Sequence, residues 1–451
     1  MIGRYLMEDT KNILILGAGF AGTYIAVHLS NKLNNNSGIS IRLIDAKEYH
    51  LFKPMLHEVA CGSVDASHII QPIRIIKRKH DFDFIHGVIQ SIDVNNQEVG
   101  VCEECVHCSN SSKCLMQELE LEKAVIDEPK RLHYDYLVLA LGGEPNYFGI
   151  AGAEKYTIPL HTLDDAVRIR ERLVEIFRIA LKVSDDRTRQ ALLTFAVIGA
   201  GATGVELVAE MHDFIYDVLL EHGSQRIRGD EIKIVLIEAA NRILPGVDEK
   251  VVKTVEEKLR DKNIEVITGA PVTQVTKDSV KIGDRVIPTY TKIWTAGVKA
   301  NALSVDLPFE KDKAGRIKVN QYLQVPGHPN VYAVGDNSFF ENPKTSRPLP
   351  ATGQVAIQEA QAVVKNILNT IKGKEKKPFQ FMQLGFAVTY GERTAAASIL
   401  GALKLEGLFG WFMWKFTYFK HLMSIRPKLK TALEWLFDIT YDRDVSRHKY
   451  E

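Results

Sequence analysis

A chain of 451 residues, 45 % hydrophobic and 25 % charged, is long enough for about three domains and has an ordinary globular composition, which excludes a disordered chain. Its formal net charge of +1 excludes a global electrostatic pull toward nucleic acid, and no nucleic-acid partner is expected. Five cysteines exclude a disulfide-built scaffold, and the opening MIGRYLMEDTKN lacks the apolar core of a secretion signal, so export is not expected.

The first element is the strand-like run NILIL, followed by Gly17, Gly19 and Gly22, a helix-like stretch to about residue 32, and a second apolar strand, ISIRLID, ending at Asp45. Strand, glycines, helix, strand and acid in this order form a dinucleotide fingerprint. The first glycine permits the tight turn, the second lets the backbone approach a pyrophosphate, and the third lets helix pack on strand. The acid then receives ribose hydroxyls. Next comes DAKEYHLFKPMLHEVACGSV, in which Cys61 stands without a partner cysteine nearby. A small buried residue is the reading for Cys61, and Lys53 reads as a snorkelling surface lysine or as a residue facing a cofactor.

Cys102, Cys105, Cys108 and Cys114 crowd into CEECVHCSNSSKC. Four thiolates within this span can close around one tetrahedral zinc ion, with His107 able to replace one of them. Reduced or disulfide-paired cysteines and an iron–sulfur cluster are the alternatives. The buried-strand run YDYLVLALGGEP follows, and then HTLDDAVRIRERLVEIF, where Thr162 and Asp165 form a capping pair with Asp in place of the usual Glu or Gln.

A second fingerprint begins at FAVIGAGATGVELVAEM, with Gly199, Gly201 and Gly204, and its acid Glu238 closes the strand IKIVLIE. The spacing from glycine to acid is longer than the usual ~20 residues because a helical extension and return loop intervene. A carboxylate at this strand end favours NADH over NADPH, since it repels a 2′-phosphate, although Arg242 lies four residues on. KIWTAGVKAN and NVYAVGDNS then supply two more strand ends, the latter at Gly335 and Asp336. Pro350 precedes a helix carrying Gln354 and Gln358 on one face. Read alone, these glutamines belong to a solvated face, and Glu206 reads as a helix N-terminal charge. After the basic linker KGKEKKP, the tail LEGLFGWFMWKFTYFKHLMSIRPKLK mixes aromatic residues with lysines and lacks a clean spanning segment of ~20 apolar residues. A helix lying on a membrane surface is the reading, with a core or dimer helix as its alternative.

The fold class expected is α/β, with two Rossmann-like dinucleotide-binding domains, the second inserted in the first, and a C-terminal amphipathic helical segment that anchors to a membrane. The expected boundaries are 11–160 for the first part of the first domain, with the cysteine insertion at 102–114; 161–298 for the second domain; 299–371 for the rest of the first; and 379–451 for the membrane-association or dimerisation region.

This arrangement resembles the two-dinucleotide-binding-domain flavoproteins. YHLFKPMLHEVACG, GAGATGVELVAEM, VYAVGDNS, ATGQVAIQEA and LEWLFDITYDRD together resemble the type II NADH:quinone oxidoreductases across essentially the whole chain. The resemblance implies FAD in the first cradle, NADH in the second, and Asp336 directed at the flavin's ribityl-phosphate region. It also implies that Glu206 is a carboxylate at the nicotinamide–flavin junction and that Gln354 and Gln358 face a membrane quinone, ubiquinone or menaquinone. The expected activity is electron transfer from NADH to quinone without proton pumping, at the cytoplasmic face of the cell membrane, by a peripheral protein that is a candidate homodimer. A sulfide:quinone oxidoreductase is the nearest rival and lacks its reactive cysteines here. A flavin- and NADH-binding membrane interaction protein is the rival from another class.

Overall fold

The computed structural model describes residues 11–33, 38–103, 129–220, 227–391, 393–399, 403–421 and 428–433. The chain forms two compact units. One comprises the residues up to His50 with Gln71–Glu144 and Val298–Met382; the other comprises Leu51–Ile70, Pro145–Gly297 and the residues from Gln383 onward.

The first unit is built on an eight-stranded sheet in the order Gln324–Val325, His328–Ala333, Tyr136–Leu139, Lys11–Leu16, Ile39–Asp45, Asp83–Asp93, Glu98–Glu103 and Lys130–His133. Its centre is parallel, and both faces are covered. Ile13 and Ile15 enter one core with Ile25, Val363 and Ile367 from two helices. Leu14 and Leu16 enter the other with Val99, Val101 and Leu132. Successive side chains of a strand point to opposite faces, so a strand buried on both sides reads in sequence as an unbroken apolar run, as this one does. The long helix Gly353–Ile371 is capped by Thr352, whose side chain accepts the Val355 N–H. The linker after it is held in place: Asn366 accepts the Lys377 N–H at 2.8 Å and donates to the Lys377 carbonyl at 3.0 Å. Phe379 is buried against Phe340.

The second unit has a five-stranded parallel sheet, Ile158–Pro159, Thr291–Trp294, Thr194–Ile198, Lys233–Ile237 and Ile264–Ile267. Its strands come from a stretch that interrupts the first sheet in sequence. The helix Leu163–Ala180 opens with the capping box expected from Thr162 and Asp165, both reciprocal bonds being present. The shorter Asp suffices because its carboxylate takes the Thr162 N–H at 2.8 Å. The C-terminal segment adds the antiparallel strands Gly385–Thr389, Ala395–Ile399 and Leu403–Leu405 and the tail helix Gly407–His421. Gly410 lets that helix sit directly on the strands, since a Cβ there would overlap the carbonyl oxygen of Ala395. No helix among the described residues is long and apolar enough to cross a membrane.

Candidate active site: two glycine loops and two buried carboxyls

Both fingerprints fold to the same backbone solution, each within its own unit. Gly17 has φ +102° and Gly199 has φ +108°, values open to glycine alone at little cost. A Cβ on Gly22 would overlap the Gly17 carbonyl oxygen, and a Cβ on Gly204 would overlap that of Gly199. A Cβ on Gly19 or Gly201 would meet nothing within 4 Å among the described residues. Those middle glycines are the N-caps of Phe20–Ser30 and Ala202–Asp213, and neither supplies a side-chain cap. Open space in front of uncapped helix amides is where a phosphate fits.

The strand-end acids match as well. Asp45 accepts the Ala18 N–H at 2.6 Å and the Lys47 N–H at 2.7 Å. Glu238 accepts the Ala200 N–H at 2.7 Å and the Ala240 N–H at 2.9 Å. Each carboxylate therefore braces the loop it faces and keeps lone pairs for ribose hydroxyls. Burial pushes the Asp45 carboxyl up, opposed by those same N–H donors. Arg242, the residue that cautioned against an NADH preference, is turned to the Val247 carbonyl of its own loop. His50, which the sequence reading passed over, is buried beside the first loop with Nδ1 3.1 Å from the Ala18 oxygen; its Nε2 has no partner among the described residues.

In the first unit, Asp336 sits in a tight turn that begins at Gly335, φ +71°. The turn is tied down by Glu359, whose Oε2 takes the Gly335 N–H at 2.6 Å and which also receives the Ser338 hydroxyl. Burial pushes the Glu359 carboxyl up to about 8, against the pull of the Gly335 and Ser338 donors. Glu359 lies on the same helix as Gln354 and Gln358. The Gln358 amide is engaged at both ends, donating to the Met382 carbonyl at 2.8 Å and accepting the Met382 N–H at 3.0 Å. It is therefore no simple solvated side chain, and its geometry fixes the segment that follows the linker.

In the second unit, Glu206 is buried rather than being an exposed helix-end charge. Its Oε1 accepts the Trp414 Nε1–H at 3.1 Å and the Thr389 N–H at 3.3 Å. Its Oε2 lies 3.7 Å from His57 Nδ1. Burial pushes the carboxyl up to about 7, with His57 the largest opposing influence. Next to it Lys415 pairs with Glu58 at 3.0 Å, both buried, and the Ser63 hydroxyl donates to Glu210.

Lys53 is neither a freely snorkelling lysine nor isolated, since its Nζ is 3.0 Å from His161 Nε2. Cys61 is buried, as expected. Cys102 is buried in the strand Glu98–Glu103, whereas Cys105, His107, Cys108 and Cys114 lie outside the described residues, as do Trp435 and most of the terminal motif. Among the described residues no group of three or more His, Cys, Asp or Glu is placed to hold a metal ion. The tail lysines depart from expectation most. Lys415 points inward to the buried Glu58, and Lys404 pairs with Asp248 at 2.9 Å on the surface.

The sequence matches the pyridine nucleotide-disulphide oxidoreductase family over residues 11–360. It is 30 % identical over 436 residues to a type II NADH:quinone oxidoreductase of Mycobacterium tuberculosis, covering 94 % of this chain and 87 % of that protein. The chain belongs to the type II NADH:quinone oxidoreductases. A probable NADH dehydrogenase of Dictyostelium discoideum is likewise 30 % identical to it over 443 residues, 97 % of this chain and 91 % of that one. The fold of this type II NADH:quinone oxidoreductase is shared with the NDH2 protein of Plasmodium falciparum solved with NADH, at TM-score 0.84 and 21 % identity, covering 97 % of this chain and all of that one.

Glu238→Gln keeps an acceptor but removes the charge, so the ratio of NADH to NADPH turnover should fall by about tenfold; equal use of both nucleotides by the unaltered enzyme would overturn the role given to this acid. The Glu359 carboxyl is raised from 4.5 to about 8, so the folded state holds a proton that the unfolded state releases in between. Stability should therefore decline as pH rises through that window. Glu359→Gln should flatten that decline in melting temperature measured against pH.

Proposed function

We propose that the chain oxidises NADH and reduces a membrane quinone with FAD as resident cofactor, and that it works as a peripheral protein on the cytoplasmic face of the cell membrane. The observation that carries this reading is the pair of matching loops in separate units, each open at its middle glycine and closed by a strand-end carboxylate. Gly17, Gly19 and Gly22 would take the FAD pyrophosphate, Asp45 the ribose, and Asp336 the ribityl-phosphate region. Gly199, Gly201, Gly204 and Glu238 would do the same for NADH.

FAD, when bound, accepts the hydride of NADH and passes two electrons to quinone. The chain's own residues bind, orient and manage protons. Glu359 holds the turn that aims Asp336. Glu206 holds a proton near neutral pH in a site without bulk water, which suits a reaction that takes up a proton with each hydride. Gln354 faces the quinone, and Gln358 supports it by clamping the Met382 backbone.

The tail helix supports attachment to a membrane surface. Leu408, Phe409, Phe412 and Phe416 are exposed, Phe409 by 74 %, and the last three recur at helical spacing on one face. Aromatic and leucine side chains on such a face suit the lipid interface. With Lys415 buried against Glu58 and Lys404 paired with Asp248 at the surface, apolar burial outweighs the headgroup attraction of about 1 kcal/mol per free basic residue. A homodimer is the other occupant of this face. A zinc ion at Cys102, Cys105, Cys108 and Cys114 is a separate proposal carried by their spacing alone, and metal analysis of the purified enzyme decides it.

Steady-state turnover with a quinone analogue, comparing NADH, NADPH and sulfide as donors, tests the central reading, and sulfide oxidation without NADH oxidation would reverse it. In stopped flow, Gln354→Leu should slow flavin reoxidation by quinone by about tenfold, the worth of one hydrogen bond, and leave reduction by NADH nearly unchanged. The combined change of Phe409, Phe412 and Phe416 to Ser should abolish flotation with anionic liposomes. High salt alone should leave most of the unaltered enzyme bound. If the triple variant still floats, and instead runs as a smaller species in size-exclusion chromatography, the face is a dimer contact.

A further inference from the structure

Glu206 owes its hydrogen bonds to the C-terminal segment, with its Trp414 partner lying 208 residues along the chain. Trp414 is fully buried, and its indole Nε1–H donates to Glu206 Oε1 at 3.1 Å. The Thr389 N–H, from the strand beneath the tail helix, donates to the same oxygen at 3.3 Å. His57, whose Nδ1 approaches the other carboxyl oxygen at 3.7 Å, packs edge-on against the Trp414 ring with centroids 5.9 Å apart. Gly410, one turn before Trp414, brings the helix against the Ala395 backbone, and Lys415 anchors the next position to Glu58. The indole is thus buried and held by its bond to Glu206, by His57 and by Lys415 over its ring.

An indole N–H donates and cannot accept, so it can satisfy only an oxygen lone pair. A hydroxyl in the same place would rotate to suit either protonation state. Trp414 instead favours one orientation of the carboxyl, with Oε1 turned to the tail helix and Oε2 left toward His57. The same helix presents Phe409, Phe412 and Phe416 on its outward face.

We propose that Trp414 is the positioning residue for Glu206, so that the helix bearing the exposed aromatic face also sets the orientation and hydrogen bonding of the carboxyl in the NADH-binding unit. The inference rests on the function proposed above only for its activity readout. The charged and titratable groups around Glu206 are His57 and Glu58 on the helix Leu56–Ala60, Lys415 on the tail helix, and Glu210 one turn along its own helix. The strand Gly385–Thr389 contributes a backbone donor. Donors to a carboxylate favour its ionised form. Removing the indole N–H while keeping an aromatic ring should therefore move the Glu206 midpoint upward.

The test uses the full-length, flavin-loaded enzyme. The infrared carboxyl band of Glu206, assigned by its loss in Glu206→Gln, is titrated in the unaltered enzyme and in Trp414→Phe. The midpoint should rise by about one pH unit in the variant, and the pH profile of NADH turnover should move with it. In the unaltered enzyme, the Trp414 indole N–H resonance should titrate with the same midpoint as the carboxyl band. This second measurement needs no variant, so it decides the matter if Trp414→Phe fails to fold. A carboxyl titration unchanged in Trp414→Phe, or an indole resonance that ignores the Glu206 midpoint, overturns the proposal. If the unaltered enzyme shows no NADH-dependent quinone reduction, the functional reading fails while the carboxyl and indole titrations still judge this one.

Discussion

A main-chain carbonyl standing where a side chain would otherwise be governs both nucleotide loops. The Gly17 oxygen fills the place of a Cβ on Gly22, and the Gly199 oxygen fills it on Gly204. Because the helix can then approach its strand this closely, its first amides come free of any side-chain cap, beside a middle glycine with open space around it. The same closeness brings the loop amides of Ala18 and Ala200 within reach of Asp45 and Glu238. A single added methyl at either third glycine would separate helix from strand and disturb the open loop and the carboxylate that braces it together.

The buried carboxyls follow a second shared logic. Glu206 and Glu359 each sit on a helix, away from water, and each accepts one main-chain N–H and one side-chain donor, with His57 a further influence on Glu206. Dipolar partners offset part of the desolvation and leave both carboxyls able to hold a proton at neutral pH. Had Lys415 bonded Glu206 instead of Glu58, the carboxyl would be ionised and inert to pH in the working range.

The loops were legible in the sequence because their chemistry is local. Strand, glycines, helix and acid follow one another within a few tens of residues, and the first and third glycines of each loop have a steric reason visible from their spacing. The capping box at Thr162 and Asp165 was legible for the same reason. What escaped were contacts between distant residues. Nothing near Glu206 announces Thr389 or Trp414, and Lys415 in an aromatic tail gives no sign of Glu58, 357 residues away. Glu359 was hidden by its neighbours, one polar residue among several on an amphipathic helix. The backbone clamp of Gln358 on Met382 was likewise invisible, since a backbone partner carries no residue signature.

The division of the tail helix into an inward indole and an outward aromatic stripe also bears on how the enzyme is handled in the laboratory. Trimming the C-terminus to remove the exposed stripe would also remove Trp414 from the interior, opening a hole beside Glu206. Repainting only Leu408, Phe409, Phe412 and Phe416 with polar side chains would treat solubility and chemistry as separate properties, because the helix already keeps them on opposite sides. For the same reason, a small molecule that wedges under this helix would act on the carboxyl through Trp414.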